Sequence, residues 1–134
     1  MRYPGLTLRI LGAGNPATGP AMGPAMGPAM GPGKAELISQ IEASGSISAA
    51  ARNMGMSYRR AWQLVEAINA SFTEPVVLTA IGGKRGGGAS VTDYGRQLVA
   101  QFHAMEDKAS AAIAEDIARL SQQLRKPIAR RKVR

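Results

Sequence analysis

Residues 46–64 constrain the fold of this chain more than any other stretch, because they predict two short helices joined by a tight turn. The segment reads SISAAARNMGMSYRRAWQL. Ser46 has the residue type of a helix N-cap, and the helix after it is predicted to run roughly to Met54. Gly55 supplies the left-handed residue that a short corner between helices requires. Ser57 then caps a second helix, which begins at the next residue.

Small or apolar residues recur in this stretch at the positions where two steeply crossing helices must touch. They are Ala50, Ala51, Met54, Met56, Ala61 and Leu64. The residues between them on the second helix are left facing outward, and they are Tyr58, Arg59, Arg60, Trp62 and Gln63. The pattern predicts a helix-turn-helix whose second helix enters the major groove of DNA.

The outward residues of the second helix are candidates for direct contact with DNA. Arg59 and Arg60 lie at the helix N-terminus, from which side chains reach base edges, and arginine forms two hydrogen bonds with guanine. Tyr58 and Gln63 add base or backbone contacts. Trp62 has two interpretations that the sequence leaves open: it covers the helix-turn-helix core, or it packs on sugars and thymine methyl groups. Candidates for phosphate contacts near helix N-termini are Ser46, Ser57 and Lys34.

A glycine-rich basic loop between two short β-branched runs predicts a β wing. The runs span residues 76–79 and 89–91, and the loop contains GGKRGGG. Glycine allows the backbone to approach a phosphate closely, and Lys84 and Arg85 supply positive charge in or beside the minor groove. A nucleotide-phosphate loop is disfavoured, because the P-loop spacing is absent and the loop does not open directly onto a helix.

The N-terminal third of the chain combines an alternating pattern with a tandem repeat. Leu6, Leu8 and Ile10 alternate with polar residues and predict a short strand. Gly-Pro-Ala-Met then occurs three times in tandem, followed by Gly-Pro-Gly, over residues 19–33. Proline at every fourth position blocks helix and sheet hydrogen bonding, so this region is predicted to be a flexible loop.

An amphipathic helix is predicted between that loop and the helix-turn-helix, over residues 34–44. Leu37, Ile38 and Ile41 fall on one face, and Gly45 ends the helix.

Residues 93–125 have a helical apolar pattern that is too long for a core of this size to cover. Thr92 caps the helix, and Pro127 prevents its continuation. Because such a helix would reach about 45 Å, its exposed stripe needs a partner, and a second copy of the chain is the simplest one. The residues predicted to pair two copies are Leu98, Phe102, Met105, Ile113, Ile117 and Leu120.

The balance of charge favours a polyanionic partner over a catalytic function. The net charge is +8, and residues 125–134 form a basic run that binds phosphates without sequence choice. The alternative to a polyanionic partner is that the positive charge serves only to keep the protein soluble. The chain has no cysteine and one histidine, His103, which cannot by itself build a zinc site. No carboxylate pair accompanies a nucleophile, so no enzyme is expected. No signal peptide or membrane-spanning run is evident, so a cytoplasmic protein is expected.

The chain resembles the DNA-binding half of the ModE-type molybdate-responsive regulators over GPGKAELISQIEASGSISAAARNMGMSYRRAWQLVEAIN, followed by PVVLTAIGGKRGGGASVTDYG. It is similar, more distantly, to the winged helix-turn-helix of LysR-type regulators. The similarity covers about residues 31–120, and GSISAAAR, MSYRRAW and GGKRGGGA are its most specific segments. It implies a dimeric transcription factor. In full-length ModE-type proteins a separate β-rich domain binds the oxyanion. This chain ends before such a domain could begin, so molybdate is not expected to bind it.

The predicted fold class is mainly α with a small β wing, a winged helix-turn-helix followed by a long C-terminal dimerisation helix. The predicted divisions are an N-terminal strand or arm (1–14), a flexible repeat loop (15–33), a DNA-binding domain (34–92), a dimerisation helix (93–125) and a basic tail (126–134).

The predicted function is a sequence-specific transcriptional regulator that binds double-stranded DNA as a homodimer, without a metal, a cofactor or an oxyanion-binding effector domain. The main alternative is a protein-interaction or non-specific DNA-binding module that works with a separate regulator. A molybdate- or tungstate-binding protein is a further alternative, although it would need a buried anion site.

Overall fold

The computed structural model describes residues 5–12, 27–80 and 88–125. In these ranges the chain is mainly helical, with a small two-stranded antiparallel sheet. The elements in chain order are α1 (Pro32–Ser44), α2 (Ile47–Asn53), α3 (Tyr58–Ser71), β1 (Val77–Thr79), β2 (Ala89–Val91), α4 (Asp93–Ala112) and α5 (Ala114–Gln123).

The two turns that separate the first three helices use glycine, as predicted. Gly45 has φ 70° and donates its amide to the carbonyl of Ile41 at 2.7 Å, which ends α1. Gly55 has φ 68° in the turn between α2 and α3. Both angles lie in the left-handed region, where glycine carries no Cβ penalty, so these residues set the directions of the helices that follow.

One hydrophobic core joins α1, α2, α3, the sheet and the middle of α4. Its fully buried large side chains are Leu37, Ile38, Ile41, Val65, Ile68, Val76 and Val77. Each contributes about 1.5–3 kcal/mol by leaving water. Ala50, Ala51 and Ala61 are also buried, and their small side chains allow α2 and α3 to pack closely. The packing positions predicted from the spacing of these residues are therefore confirmed for the three alanines.

The sheet is attached to α3 by the side chain of Asn69. Its Oδ1 accepts the amides of Val76 at 2.8 Å and Val77 at 3.0 Å, and its Nδ2 donates to the Val77 carbonyl at 2.9 Å. In the sheet Val77 pairs with Val91, and Thr79 with Ala89. These side-chain hydrogen bonds satisfy backbone groups that would otherwise be buried without partners.

The start of α4 lies directly against the sheet. Thr92 caps the helix as predicted, because its Oγ1 accepts the amide of Gly95 at 2.9 Å and donates to the carbonyl of Pro75 at 2.7 Å. A Cβ at Gly95 would lie 2.6 Å from the Val76 carbonyl oxygen and 2.9 Å from Val91 Cγ1. The close approach of α4 therefore requires glycine at position 95.

The final Gly-Pro-Ala-Met copy belongs to the fold, which corrects the prediction of a flexible loop through residue 33. Ala29 and Met30 are buried, and α1 already begins at Pro32. The amide of Ile10 donates to the Met30 carbonyl at 2.7 Å, and the Met30 amide donates to the Ile10 carbonyl at 3.2 Å. Proline does not prevent this pairing, because the amide that pairs belongs to methionine. Residues 13–26, which hold the two earlier copies, lie outside the described ranges.

The predicted N-terminal strand is reduced to that one bridge within the described residues. Leu6, Leu8 and Ile10 are half-buried and the residues between them are exposed, so the alternation of burial agrees with the period-2 pattern.

The single long C-terminal helix was predicted wrongly. α4 ends and α5 begins around Ile113, which has φ −116° and ψ 16°. Apolar residues recur at three- or four-residue intervals up to Ala112, and the next one in the series is the adjacent Ile113. The apolar stripe of α5 therefore lies on a different side of the helix axis from that of α4. The last helical residue is Gln123, rather than Arg125.

Candidate nucleic-acid interface

Serine side chains begin both helices that flank the turn. Ser46 Oγ accepts the amide of Ala49 at 3.1 Å, and Ser57 Oγ accepts the amide of Arg60 at 3.0 Å. Both caps were predicted from sequence and are confirmed. Each satisfies a first-turn amide that has no partner within its helix. Ser57 is exposed at the N-terminus of α3, where the helix dipole favours an anion.

The first two turns of α3 present a polar, cationic face to solvent. The exposed residues on this face are Tyr58, Arg59, Arg60 and Gln63. On the opposite face Ala61, Val65 and Ile68 are buried in the core. The structure thus brings Arg59, Arg60 and Gln63 together on the side of α3 that faces away from the core, and it places Tyr58 at the edge of that side.

Trp62 lies between these two faces and makes contacts in both directions. Its ring is half-buried and packs against the hydrophobic core. The Tyr58 ring stacks on it, with centroids 6.4 Å apart and planes 25° from parallel. The core-covering interpretation is therefore correct for one part of the ring. The other part belongs to the exposed face of α3.

Lys34 is buried, rather than on the surface as the phosphate contact that the sequence predicted. The residue is 5% exposed, and its Nζ donates to the carbonyl of Pro28. Burial lowers the pKa of Lys34 from 10.5, and the positive charge of Arg60 lowers it further. The positive charges of Lys34 and Arg60 therefore interact unfavourably, and an anion beside Arg60 would reduce that repulsion.

Arg52 is an exposed cation on α2 that the sequence analysis did not select. Its guanidinium Nη1 donates to Ser48 Oγ at 3.0 Å, one helical turn earlier. The first helix of such a pair crosses the DNA backbone, so a cation on its exposed side is suited to a phosphate. The sequence could have indicated this cation, because Arg52 lies four residues after Ser48 on a short helix with a serine cap, and side chains at that spacing share one face of a helix.

The predicted wing residues Lys84 and Arg85 lie outside the described residues, in the range 81–87. The strands on either side are described, and the Ala80 amide donates to the Gly88 carbonyl at 2.9 Å. Ala89 donates to the carbonyl of Gly45 at 2.9 Å, so the loop end of the sheet meets the turn that precedes α2.

The residues predicted to pair two copies differ in how deeply they are buried within a single chain. Phe102 is 2% exposed and belongs to this chain's own core, which corrects its assignment to an exposed stripe. Leu98 is half-buried against the same core. Ile117 is half-buried, and a Cβ on Gly5 would lie 3.1 Å from its Cγ2. The exposed members are Met105, Ile113 and Leu120, together with Leu124, which was not selected.

The described part of the chain contains no cluster of three or more His, Asp and Glu side chains suited to a metal ion. Over the same residues, no helix combines the length and the apolar character needed to cross a bilayer.

Comparison with known proteins identifies homologues that are named as molybdenum-related proteins or as ModE transcriptional regulators. The chain is 38% identical over 91 residues to the molybdenum transport protein ModE of Azotobacter vinelandii, which is 68% of this chain and 32% of that protein. It is 48% identical over 73 residues to the molybdenum-pterin-binding protein MopB of Rhodobacter capsulatus, 54% of this chain and 27% of MopB. It is 35% identical over 86 residues to the DNA-binding transcriptional dual regulator ModE of Escherichia coli K12, 62% of this chain and 33% of that regulator.

These relatives confirm the resemblance to ModE-type proteins that the sequence motifs indicated. The chain spans about a third of the length of the curated relatives it matches. No family model matches the chain.

Proposed function

We propose that this chain is a sequence-specific DNA-binding transcriptional regulator whose α2, α3 and two-stranded sheet form a winged helix-turn-helix. The observation that carries the proposal is the geometry of α3. One face of the helix is fixed in the core, and its first two turns expose two arginines, a tyrosine and a glutamine. A rigid helix with this surface has the shape and the hydrogen-bond donors to read base edges in a major groove.

Each exposed group has a separate role in the proposed complex. Arg59 and Arg60 donate to O6 and N7 of guanine, or one of them does so while the other neutralises a phosphate. Gln63 is one turn further along the same helix and reaches an adjacent base pair. Arg52 and Ser57 contact phosphates and set the position of the helix in the groove. The Lys84 and Arg85 side chains of the wing add charge beside the neighbouring groove, a role proposed from sequence alone.

The chain is proposed to bind DNA as a homodimer. Met105, Ile113 and Leu120 leave apolar surface exposed along α4 and α5, and a second copy would cover it. A two-fold dimer would recognise two half-sites in inverted orientation, with centres about 34 Å apart or a multiple of that distance.

The names of the relatives support DNA binding more directly than they support a response to molybdate. The E. coli relative is named as a DNA-binding transcriptional regulator. Since this chain spans about a third of that protein, we carry over the DNA-binding role only. We propose that this chain takes no cofactor and that molybdate does not change its affinity for DNA.

A binding experiment across a salt series tests the proposal. Genomic fragments are titrated with wild type and with an Arg59→Ala/Arg60→Ala variant, with and without molybdate. Wild type should prefer particular fragments, and the variant should lose that preference because its guanine contacts are gone. The matched control is Lys108→Ala/Arg119→Ala, which removes two exposed positive charges from α4 and α5. It should bind more weakly at low salt at most, and keep the preference.

The same experiment identifies the alternative, a protein-interaction or non-specific DNA-binding module. If wild type and the α3 variant bind every fragment alike, with equal dependence on salt, no bases are read and specific regulation is excluded. The exposed apolar side of α5 is the observation that favours a protein-interaction role in that case.

A further inference from the structure

Tyr58 and Trp62 form a pair of stacked rings at the exposed edge of α3, which we term the aromatic ledge. The two residues are one helical turn apart, and their ring centroids are 6.4 Å apart. The Tyr58 residue is 57% exposed, whereas Trp62 is half-buried against the core. Because the core supports Trp62 from one side and Tyr58 covers part of its ring, the ledge is held in place before any ligand arrives.

We infer that the aromatic ledge contacts the 5-methyl group of thymine in the major groove, so that this protein prefers DNA sites with thymine at a fixed position beside the bases read by Arg59. The inference rests on the proposed function and adds the base class that this part of α3 selects. It makes Tyr58 and Trp62 specificity-determining residues that act through apolar contact.

The chemistry of the major groove explains why thymine is the base selected. Each base pair presents hydrogen-bond donors and acceptors there, and among the four bases thymine alone adds an apolar methyl group. An aromatic surface gains free energy by removing a methyl group from water, and it gains nothing comparable from an unpaired amino or keto group. Arg59, adjacent to Tyr58 at the start of the helix, supplies the contrasting preference for guanine.

The position of the ledge also argues against two other roles. An exposed aromatic stack that served only the stability of the helix would contribute a few tenths of a kcal/mol. The Tyr58 hydroxyl and the Trp62 indole N–H can each donate to a phosphate, but the ring faces carry no donor and need an apolar partner, while Arg52 and Ser57 lie nearby with donors suited to phosphates. The role left for the ring faces is an apolar contact with a base or with a sugar. Removing the methyl group of thymine distinguishes these two contacts, because only the contact with the base is weakened.

The experiment removes the methyl group from the DNA. Duplexes of the fragment that wild type binds most tightly are synthesised with deoxyuridine in place of one thymine at a time, which changes no hydrogen-bonding group. At one position in each half-site the affinity should fall about fourfold, equivalent to ~0.8 kcal/mol for one methyl group. Deoxyuridine at the remaining positions should have no effect.

Variants of the ledge connect the loss to these two residues. In Tyr58→Ala the affinities for the thymine and deoxyuridine duplexes should be equal, and in Trp62→Leu, whose smaller apolar side chain covers less of the methyl group, the difference between them should shrink. Arg59→Ala is the matched control: it should bind both duplexes more weakly and keep the fourfold difference between them. Circular dichroism checks the fold of each variant, and Tyr58→Ala is decisive if Trp62→Leu unfolds, because Tyr58 is exposed.

The outcomes separate the inference from the proposed function. If wild type prefers no fragment, the proposed function fails and the inference fails with it. If wild type prefers a fragment and no deoxyuridine position matters, only the inference is overturned, and the ledge contacts sugar. A methyl dependence that persists unchanged in both ledge variants also overturns it, since another residue then reads the methyl group.

Discussion

α3 and α5 are both amphipathic helices, but among the residues that the structure describes, the apolar side is buried in α3 and exposed in α5. Ile68 on α3 is 0% exposed, whereas Leu120 and Leu124 on or beside α5 are 63% and 66% exposed. Over the residues that the structure describes, α5 contributes no buried side chain.

Because of this difference, the polar face of α3 and the apolar face of α5 are the surfaces available to binding partners. Because the core holds α3, its polar face is rigid and free to contact a ligand. Within the described ranges Ile117 is the half-buried residue of α5, near Gly5, and the exposed apolar side of this helix is suited to a protein surface.

The largest expected difference between the two helices is in the free energy of unfolding. Ile68→Ala should lower it by about 3–4 kcal/mol, because the substitution removes buried methyl groups and leaves a cavity. Leu120→Ala should change it by less than about 0.5 kcal/mol at low protein concentration, since its side chain is already in water. Urea unfolding of both variants measures these values.

The concentration dependence of the Leu120 variant tests the proposed dimer. If Leu120 pairs two copies, its substitution should become more destabilising as the protein concentration rises. A loss of several kcal/mol at every concentration would instead mean that α5 is docked within a single chain.

The next effect concerns the contact that fixes the start of α4. Gly95→Ala should lower the free energy of unfolding by about 2–3 kcal/mol, because its Cβ would meet the Val76 carbonyl oxygen at 2.6 Å. Gly33→Ala is the matched control within α1, where a Cβ would have no heavy atom within 4 Å. That variant should be unchanged or up to about 1 kcal/mol more stable. Equal effects of the two substitutions would contradict the packing of α4 on the sheet.

A smaller effect is expected from the N-cap of α3. Ser57→Ala removes the acceptor of the Arg60 amide and should cost about 1 kcal/mol of stability. Ser57→Asp restores an acceptor and should recover most of that stability, while its negative charge should weaken DNA binding. Thermal unfolding and fragment binding measure the two effects separately. If Ser57→Asp bound DNA as tightly as wild type, the hydroxyl would not face a phosphate.

The smallest effect is a pH dependence of stability that arises from Lys34. Burial disfavours its ammonium group, so its pKa is below 10.5 in the folded chain and near 10.5 in the unfolded chain. Between these two values the unfolded chain binds more protons, and the free energy of unfolding should therefore rise with pH. Below the pKa that Lys34 has in the folded chain, its ammonium group is charged in both states, so the full free-energy cost of burying that charge is present there.

Lys34→Met should remove that rise, while the exposed Lys108→Met should keep it. Urea midpoints measured from about pH 8 to about pH 11 give the comparison. Parallel curves for wild type and Lys34→Met would show that Lys34 titrates alike in both states.

The local features of the α2–α3 unit were predictable because their causes lie within a few residues of each other. Ser46 and Ser57 each cap an amide three residues later, and Gly55 occupies the left-handed turn position. The outward direction of Arg59 and Arg60 follows from helical periodicity. The same reasoning explains the two short strands and the Thr92 cap.

The predictions that failed depend on which segments the chain folds against. Phe102 and Leu120 occur in one apolar series, yet the core covers only the first. Lys34 is at a helix start, where a phosphate contact was expected, but its side chain is buried and donates to the Pro28 carbonyl instead. Met30 pairs with Ile10 across twenty residues, and no pattern inside the repeat indicates this.

The sequence by itself determined where most helices begin and end and which face of α3 is polar, because hydrogen bonds and periodicity act over one or two turns. Only the tertiary structure decided which apolar residues are covered and that Trp62 joins the core to the exposed face. Burial depends on contacts between segments that are distant in the chain, and a residue's own neighbours do not specify them.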